Sequence, residues 1–512
     1  MSTAVASVIP AGNESEDSSV SVPAPTHAES QWRNVALILL WSVLIVTPCC
    51  WQPHIQAVDL PSHLYNAWLA NQIVAHPVAG LVVARQSTNV LFDWMLRGLL
   101  PLGSPETAER VAVSIAVLVF FWGAFAFVAV TSKRRSWAMA PCLAMLAYGW
   151  VFHMGFFNFY LSMGLSLCVM AMVWRPSLKR WLLAAPVLLL ACLAHDLPVL
   201  WAISVIAYLY ASRLCSGAGR RLLPVAAILA LVIGFAVVRH AYVTLWSPQQ
   251  LGGMLGIDQV WVFGRKYYLL ALGLLLVWTP LFVRRVDFSL LESKFGIPLD
   301  LVALNSLAIV LIPTHLELPF YKAPLNFLAP RMSLAAAVLI CAFIAAHATL
   351  RHGVAFAVLA ALFFSFVFVD TREMNRIEAR VDVALADVPA GSRVINGILG
   401  LTNRMLILTH LADRASIGRF WSYSNYEPST GQFSLRATAP NPVVLSDPRD
   451  VSDVQDGHYI VQQHDLPLFQ VTLCGPENRV CVHSLEAGER ARVIKSEILP
   501  PLWASQGMRI IP

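Results

Sequence analysis

Long apolar runs separated by short polar connections occupy most of the chain up to about residue 370. A helix needs about 20 residues, with a range of about 17–25, to cross the hydrocarbon core of a bilayer. We count eleven apolar stretches that are candidates for such helices, near residues 34–51, 111–131, 137–153, 156–174, 181–195, 197–212, 222–239, 267–283, 297–313, 332–349 and 353–369. The pattern predicts a mostly α-helical, polytopic membrane protein of about eleven transmembrane helices.

The composition changes twice along the chain, which predicts three parts. Residues 1–33 are rich in Ser, Ala, Pro and acidic residues without an apolar period, and we expect a disordered cytoplasmic tail. Residues 34–370 are the predicted membrane domain. Residues 371–512 hold 29 of the 66 charged residues, and mixed helix and strand patterns there predict a soluble α/β domain. A chain that is 57% hydrophobic and 13% charged is not a soluble globular enzyme.

The distribution of Lys and Arg predicts the orientation, because short cytoplasmic loops carry an excess of these residues. With eleven spans and a cytoplasmic N-terminus, the short inner loops hold thirteen of them and the short outer connections five. The chain is then a multi-pass protein of the inner (plasma) membrane, with its C-terminal domain periplasmic or extracellular. The alternative is one kinked helix over 181–212, which would reverse every later segment. The charge distribution disfavours that alternative.

Two of the predicted outer segments differ from ordinary connections. Residues 52–110 form a long first outer loop, whose apolar spacing predicts two amphipathic helices along the membrane surface, one over 64–74 and one over 90–96. Residues 314–331 contain three prolines, which forbid a simple continuing helix. Both segments are predicted to face the same side of the membrane.

The stretch Val58-Asp-Leu-Pro-Ser-His63 follows the first predicted span on the outer side. A carboxylate at this place can accept a proton from an attacking hydroxyl or hold a metal ion. If the stretch is helical, Asp59 and His63 lie one turn apart on the same face. The alternative role of Asp59 is an N-cap, because an Asp followed closely by Pro is typical of a helix start. The stretch alone leaves both roles open.

This arrangement resembles the GT-C superfamily of integral-membrane glycosyltransferases, and the likeness covers about residues 34–370. Members of that superfamily have an acidic residue in a long first outer loop with two surface helices, then many spans, and often a soluble outer domain. Asp59-Leu-Pro-Ser-His63 stands at the position of the catalytic acidic motif, whereas many members carry a second acidic residue beside the first. The other similar stretches are Asn89–Arg97, Pro105–Arg110, Gly155–Tyr160 and Ala194–Asp196.

The resemblance implies a polyprenyl-phosphate-linked sugar donor that enters from the lipid bilayer. It implies inverting transfer to an envelope glycan, lipid or protein acceptor, with Asp59 as general base and His63 or Asp93 supplying the second group. The leaving phosphate needs cationic donors, because charge develops on it as the bond breaks. The residues expected to bind substrate are Asp93, Arg97, Arg110, His195, Glu317, Lys322 and Arg331. Membrane anchoring by snorkelling is the alternative role of the cations.

The sequence predicts little about cofactors. If a divalent cation is bound, Asp59 and His63 are its expected ligands, since carboxylate and imidazole suit zinc or manganese. Cys474 and Cys481 flank a Gly-Pro-Glu-Asn turn in an alternating pattern typical of a β-hairpin. A disulfide between them would fit an oxidising compartment, in agreement with the predicted outer position.

Other functions compete with glycosyl transfer. A polysaccharide polymerase or ligase usually has its large outer loop late among the spans, whereas here it comes first. A transporter usually has ionisable residues near the midplane, but these spans are nearly free of charge. A non-catalytic assembly subunit for envelope polysaccharide or lipid would use the tail for binding, with the aromatic patch Trp421–Tyr426 stacking on sugar. The net charge of +6 does not indicate nucleic acid, because no basic patch is interleaved with aromatic residues.

Overall fold

A computed structural model describes residues 27–133, 136–291, 296–402, 404–474, 479–497 and 509–511. Most of the predicted N-terminal tail, residues 1–26, lies outside the described residues. The first described helix begins at His27, inside the predicted tail, and continues through the first apolar run. Contacts within the chain divide it into residues 1–44 and residues 45–512, and the description below concerns the larger unit.

The chain is mostly helical up to residue 384. The helices of this part are α1 (His27–Val46), α2 (Leu60–Ala75), α3 (Leu91–Leu99), α4 (Pro105–Thr131), α5 (Ala140–Ala147), α6 (Trp150–Met154), α7 (Phe157–Val173), α8 (Leu178–Ala194), α9 (Asp196–Leu214), α10 (Gly217–Ala241), α11 (Gln250–Gly253), α12 (Tyr267–Leu291), α13 (Ile297–Leu311), α14 (Leu328–Ile344) and α15 (Leu350–Ala384). Four short strands interrupt them, β1 (Leu81–Val83), β2 (Thr244–Leu245), β3 (His315–Leu316) and β4 (Leu325–Asn326).

Each of the eleven predicted apolar stretches overlaps a helix. Within the described residues, eight helical stretches are long and apolar enough to cross a membrane: 31–49, 105–131, 137–154, 196–214, 217–241, 267–286, 328–347 and 350–384. Two shorter apolar helices, α7 and α13, lie between them. The structure therefore confirms a membrane-embedded helical protein, while the count of eleven spans stays a prediction.

The region 181–212 contains two helices and not one kinked helix. α8 ends at Ala194 and α9 begins at Asp196, and His195 between them has an extended backbone, with φ −170° and ψ 136°. The side chain of His195 accepts a hydrogen bond from the backbone N–H of Leu197 at 3.1 Å. His195 therefore begins α9 as its N-cap.

α4 and α7 pack closely because glycines face each other where they cross. A methyl group on Gly123 would lie 2.3 Å from the carbonyl oxygen of Gly164, which no real structure tolerates. Small residues allow backbones of membrane helices to approach in this way. This crossing places the start of α7 against the first outer loop, where the candidate site lies.

The first outer loop contains both predicted helices, α2 and α3. α2, however, is not the surface helix that the sequence predicts. Eleven of its sixteen residues are buried, on all sides of the helix, so α2 is enclosed in protein. Tyr65, Leu69 and Ile73 pack against residues of the C-terminal region, including Leu435 and Val444. The expectation of an amphipathic helix along the membrane surface is wrong for α2, because the C-terminal region covers the face that would meet water.

The C-terminal region, residues 371–512, is a mixture of short helices and strands. Its elements are β5 (Arg393–Asn396), β6 (Ile398–Leu401), α16 (Leu411–Ser416), β7 (Trp421–Ser422), α17 (Glu427–Thr430), β8 (Leu435–Ala437), α18 (Pro448–Asp456), β9 (Leu468–Cys474), β10 (Arg479–Leu485), β11 (Ile494–Glu497) and β12 (Arg509–Ile511). One sheet has the order β10-β9-β5-β7, and a second has the order β12-β11-β6. In the first sheet β5 runs parallel to both of its neighbours.

The two strands of the predicted hairpin are present, and its Gly-Pro-Glu-Asn turn lies outside the described residues. β9 and β10 pair antiparallel from Leu468 opposite Leu485 to Cys474 opposite Arg479. Cys474 and Cys481 form a disulfide, with their Cα atoms 6.0 Å apart.

The C-terminal region is continuous with the helical part in two ways. α15 is a single helix that runs through the predicted boundary at residue 370. β8 also pairs antiparallel with β1 of the first outer loop, with Leu81 opposite Ala437. The helical part and the C-terminal region therefore share the helix α15 and the two-stranded sheet of β1 and β8.

Candidate functional site

Asp59 occupies the N-cap position of α2, but its side chain makes no capping hydrogen bond. Its backbone alone serves the helix start, because its carbonyl oxygen accepts a hydrogen bond from the N–H of His63 at 2.9 Å. The carboxylate is 15% exposed and points instead toward the C-terminal region. The Asp59 side chain therefore does not act as the cap of α2, and its carboxylate can accept a proton or bind a ligand.

The turn between α6 and α7 fixes the backbone of Asp59. The Asp59 N–H donates to the carbonyl oxygen of Met154 at 3.2 Å, and the next residue, Gly155, has φ +82°. A Cβ on Gly155 would lie 2.6 Å from the Asp59 nitrogen. Gly155 is therefore required both by its left-handed backbone and by the closeness of Asp59.

We expect Gly155→Ala to destabilise the fold around Asp59. The left-handed backbone alone costs an L-residue about 1–2 kcal/mol, and the contact with Asp59 adds to that cost. The midpoint of thermal unfolding, followed by tryptophan fluorescence in detergent, should fall. The matched control is Gly98→Ala in α3, where no atom lies within 4 Å of the added Cβ. Equal midpoints for the two variants would contradict the assigned role of Gly155.

His410 is the group that faces the Asp59 carboxylate. Its Nε2 lies 3.8 Å from Asp59 Oδ1, and its Nδ1 lies 3.1 Å from Asp413 Oδ2. The hydroxyl of Ser422 donates to the other Asp413 oxygen. The ring of Tyr426 lies beside the imidazole, with centroids 5.1 Å apart. Three residues of the C-terminal region therefore hold the His410 ring in place.

The electrostatic surroundings of Asp59 are cationic. Burial raises the pKa of the Asp59 carboxyl, and the nearby His410, His63 and Arg331 oppose that rise. For His410, burial lowers the pKa, but Asp413 and Asp59 outweigh it, so that the pKa is raised from its ordinary value. The two groups thus favour the charged form of each other.

Arg331 lies at the start of α14, close enough to Asp59 for its charge to act on the carboxylate. Its guanidinium stacks on the ring of Phe156, with 3.7 Å between Cζ and the ring centroid. Its Nε is buried and has no hydrogen-bond acceptor among the described residues. A stacked guanidinium keeps its N–H groups directed outward in the ring plane, where they can bind an anion.

His63 and Asp93 bind each other, and the charge of His63 also acts on Asp59. His63 Nδ1 lies 2.8 Å from Asp93 Oδ1, and Asn158 donates to the other Asp93 oxygen at 2.8 Å. Glu427 of the C-terminal region lies 3.6 Å from His63. Burial lowers the pKa of His63, but Asp93 and Glu427 outweigh it and raise the pKa to about 10. The predicted catalytic and substrate-binding pair is therefore a buried ion pair that joins α2, α3 and the C-terminal region.

A second buried set of charges lies next to this one, and we call it the Arg414 cluster (Arg414, Glu109 and Glu378). Arg414 Nε lies 3.0 Å from Glu109 Oε2, and Nη1 binds Glu378 Oε1. The same guanidinium donates to the carbonyl oxygen of Ile55 at 3.1 Å. Each of the three side chains is at most 7% exposed. The cluster thus joins α4, α15, α16 and the beginning of the first outer loop.

The remaining predicted substrate-binding residues are apart from Asp59 or engaged elsewhere. Arg97 exchanges hydrogen bonds with Asn71, and Arg110 donates to the carbonyl oxygen of Pro53 at 2.8 Å. His195 is engaged as the N-cap of α9, where its Nδ1 accepts a hydrogen bond from the N–H of Leu197. Glu317 and Lys322 line a groove of about 500 Å³ formed by residues 241–243, 317–319 and 321–324, which do not include Asp59.

The structure does not assemble an evident site for a divalent cation. Within the described ranges, no group of three or more His, Cys, Asp or Glu side chains is placed to hold a metal ion. His63 is bound to Asp93, and Asp59 faces His410 and lies near Arg331. The two residues predicted as ligands thus have other partners, and the charge around Asp59 is of the wrong sign for a cation.

Sequence reasoning missed the groups that the C-terminal region contributes. His410, Asp413 and Glu427 lie more than 350 positions after Asp59, in a part of the chain where the sequence predicts no catalytic residue. A usable signal was the short spacing of His410, Asp413 and Arg414, since ionisable residues on one turn share a face. Comparison of the chain with family models, curated proteins and solved structures found no significant match.

Proposed function

We propose that this protein is a membrane glycosyltransferase that moves a sugar from a polyprenyl-phosphate donor to an acceptor hydroxyl of the envelope. One observation carries the proposal: the carboxylate of Asp59 is not used as a cap, is partly exposed, lies 3.8 Å from His410 and is within reach of the charge of Arg331. A carboxylate that is reachable and has cationic neighbours, which favour its proton-accepting form, is suited to act as a general base.

In the proposed step, Asp59 accepts the proton of the acceptor hydroxyl. The acceptor oxygen forms a bond to the anomeric carbon of the sugar on the face opposite the leaving group. The bond between that carbon and the phosphate oxygen breaks, and its electron pair leaves with the polyprenyl phosphate. The configuration of the sugar is inverted, and Arg331 stabilises the charge that develops on the phosphate.

The placement of the site supports transfer at the membrane surface. Segments predicted to be outer contact one another: Val58 N–H donates to His153 O at 2.8 Å, Val90 N–H to Leu193 O at 3.1 Å, and Lys322 N–H to Thr430 O at 3.1 Å. With eleven spans and a cytoplasmic N-terminus, all of these segments and the C-terminal region lie on the outer face of the inner membrane. A donor with a lipid tail then reaches Asp59 from the bilayer.

The test uses the full chain in membranes supplied with a panel of polyprenyl-phosphate sugars, and follows both substrates and products by mass spectrometry. We expect loss of one donor with release of an equal amount of polyprenyl phosphate. Nucleotide sugars in parallel samples should remain intact. Consumption of nucleotide sugars, or of no member of a broad donor panel, would contradict the proposal and favour transport or assembly.

Arg331→Gln should lower kcat/KM for the donor about 10- to 100-fold, because a hydrogen bond to a charged group is worth about 1.5–3 kcal/mol. The rate of polyprenyl phosphate release should decrease by the same factor at every acceptor concentration. Arg449→Gln is the control, since the Arg449 side chain is 89% exposed and is paired only at the surface with Asp447. Equal decreases for both variants would exclude a specific role of Arg331.

A further inference from the structure

We infer that His410 is a positioning residue for Asp59, supplied by the C-terminal region: its ring, held by Asp413, sets Nε2 opposite the Asp59 carboxylate and favours the anionic form of that carboxylate. The inference rests on the proposed function, in which Asp59 is the base. It makes the C-terminal region part of the reaction centre, whereas the sequence predicts only a soluble domain there, with binding as one alternative role.

The ring of His410 has a defined orientation. Asp413 binds Nδ1 at 3.1 Å, and Ser422 in turn binds Asp413, so that the carboxylate orienting the ring is itself fixed. The side chain of His410 is 7% exposed and lies against Tyr426. With Nδ1 occupied, Nε2 is the nitrogen directed at Asp59. A histidine held at one nitrogen by a carboxylate presents the other in a fixed direction.

The separation of 3.8 Å between His410 Nε2 and Asp59 Oδ1 is longer than a hydrogen bond. It is short for a pair of opposite charges, which interact strongly over about 4–6 Å. The carboxylate is thus stabilised by charge while its oxygens remain free to accept the proton of the acceptor. A direct hydrogen bond would tie up one of the oxygens that the reaction needs.

The charged groups that act most strongly on His410 and on Asp59 differ in sign. Tyr426, which is also ionisable, packs against the His410 ring. The charged groups facing His410 are Asp413, Asp59 and Glu427, all carboxylates. Those facing Asp59 are His410, His63, Arg331 and Asp413. His410 therefore lies among anions, which favour its cationic form, and Asp59 lies mainly among cations, which favour its anionic form.

The position of His410 is coupled to the Arg414 cluster. His410 immediately precedes α16, and Arg414 follows it by one helical turn. Arg414 anchors α16 to α4 and α15. The same turn of chain thus fixes the C-terminal region on the helical part and brings the imidazole to Asp59.

The first experiment compares the pH dependence of kcat/KM for donor consumption in wild type and His410→Gln. Loss of a positive neighbour raises the pKa of Asp59, so the acid side of the profile moves to higher pH. On that side kcat/KM should fall about tenfold, and at the alkaline plateau much less. His464→Gln is the control, because the His464 side chain is 70% exposed and contacts Asp465 and not Asp59. A parallel fall at every pH, with the acid side unmoved, would show a merely structural role and overturn the inference.

The second experiment needs no donor and separates the inference from the proposed function. Two-dimensional spectra of the full chain, labelled at histidine 13Cε1, give the titration of His410, identified by its loss in His410→Gln. Asp59→Asn should lower the pKa of His410, because it removes an opposite charge. If the pKa of His410 is the same in Asp59→Asn and wild type, the inference fails even when donor is consumed. If it falls and no donor is consumed, the pairing stands and the proposed function fails.

Discussion

Asp59→Asn should reduce donor turnover about 10²- to 10⁴-fold, the range associated with loss of a general acid–base group. Asn has nearly the shape of Asp and keeps the local packing, but its amide cannot accept the proton of the acceptor hydroxyl. The initial rate of polyprenyl phosphate release, measured by mass spectrometry at matched expression, gives the effect. The decrease should appear in kcat more than in KM, because the base acts in the transition state.

The control for this variant is Asp447→Asn, which alters a true helix cap. The side chain of Asp447 accepts a hydrogen bond from the N–H of Arg449 at 2.9 Å at the start of α18. Asn caps a helix as well as Asp, so this variant should keep wild-type turnover. Turnover of Asp59→Asn equal to that of Asp447→Asn would remove Asp59 from the reaction.

Arg414→Met should destabilise the protein by about 3–5 kcal/mol, the cost of breaking a buried ion pair on one side only. Met fills a similar volume, but Glu109 and Glu378 would then be buried without the cation that faces both. We expect a large fall in the midpoint of thermal unfolding and in the yield of monodisperse protein. Both are measured by fluorescence-detected size-exclusion chromatography after heating.

Two further variants test whether the destabilisation by Arg414→Met comes from the unpaired carboxylates. Arg449→Met removes an arginine that is 89% exposed and should leave the midpoint unchanged. The triple variant Arg414→Met, Glu109→Leu, Glu378→Leu removes all three charges and should recover most of the lost stability, since apolar side chains can replace a buried ion cluster. An unchanged midpoint in Arg414→Met alone would contradict the assignment of the cluster.

The helices could be predicted from the sequence because apolar periodicity is a local property. The strand order of the C-terminal sheets and the contacts of His410 and Glu427 could not, because they depend on how distant segments pair. Asp59 was found because it follows a span and precedes Pro61, both of which are visible in a short window. Its partner His410 is brought to it only by the packing of the C-terminal region on α2.

The failed expectation for α2 has the same cause. Its apolar residues predict a helix correctly, but the pattern does not say whether lipid or protein covers the apolar face. Ser62, His63 and Asn66 are polar and buried, and each has a partner on the C-terminal region or on the first outer loop. Polar residues that are satisfied by a remote partner look in sequence like a solvent-facing side.

Because α15 is continuous, it also fixes the direction in which its C-terminal side chains point relative to those of its apolar half. Each residue of an α-helix advances the direction of its side chain by about 100° and the axis by about 1.5 Å. Asn375 binds the backbone of His54, and Glu378 binds Arg414, both from the far half of this 35-residue helix. One residue inserted near position 370 would turn both side chains away from their partners while leaving the apolar half unchanged. The number of residues between the apolar half of α15 and Glu378 is therefore fixed by the fold, even at positions where the residue type can change.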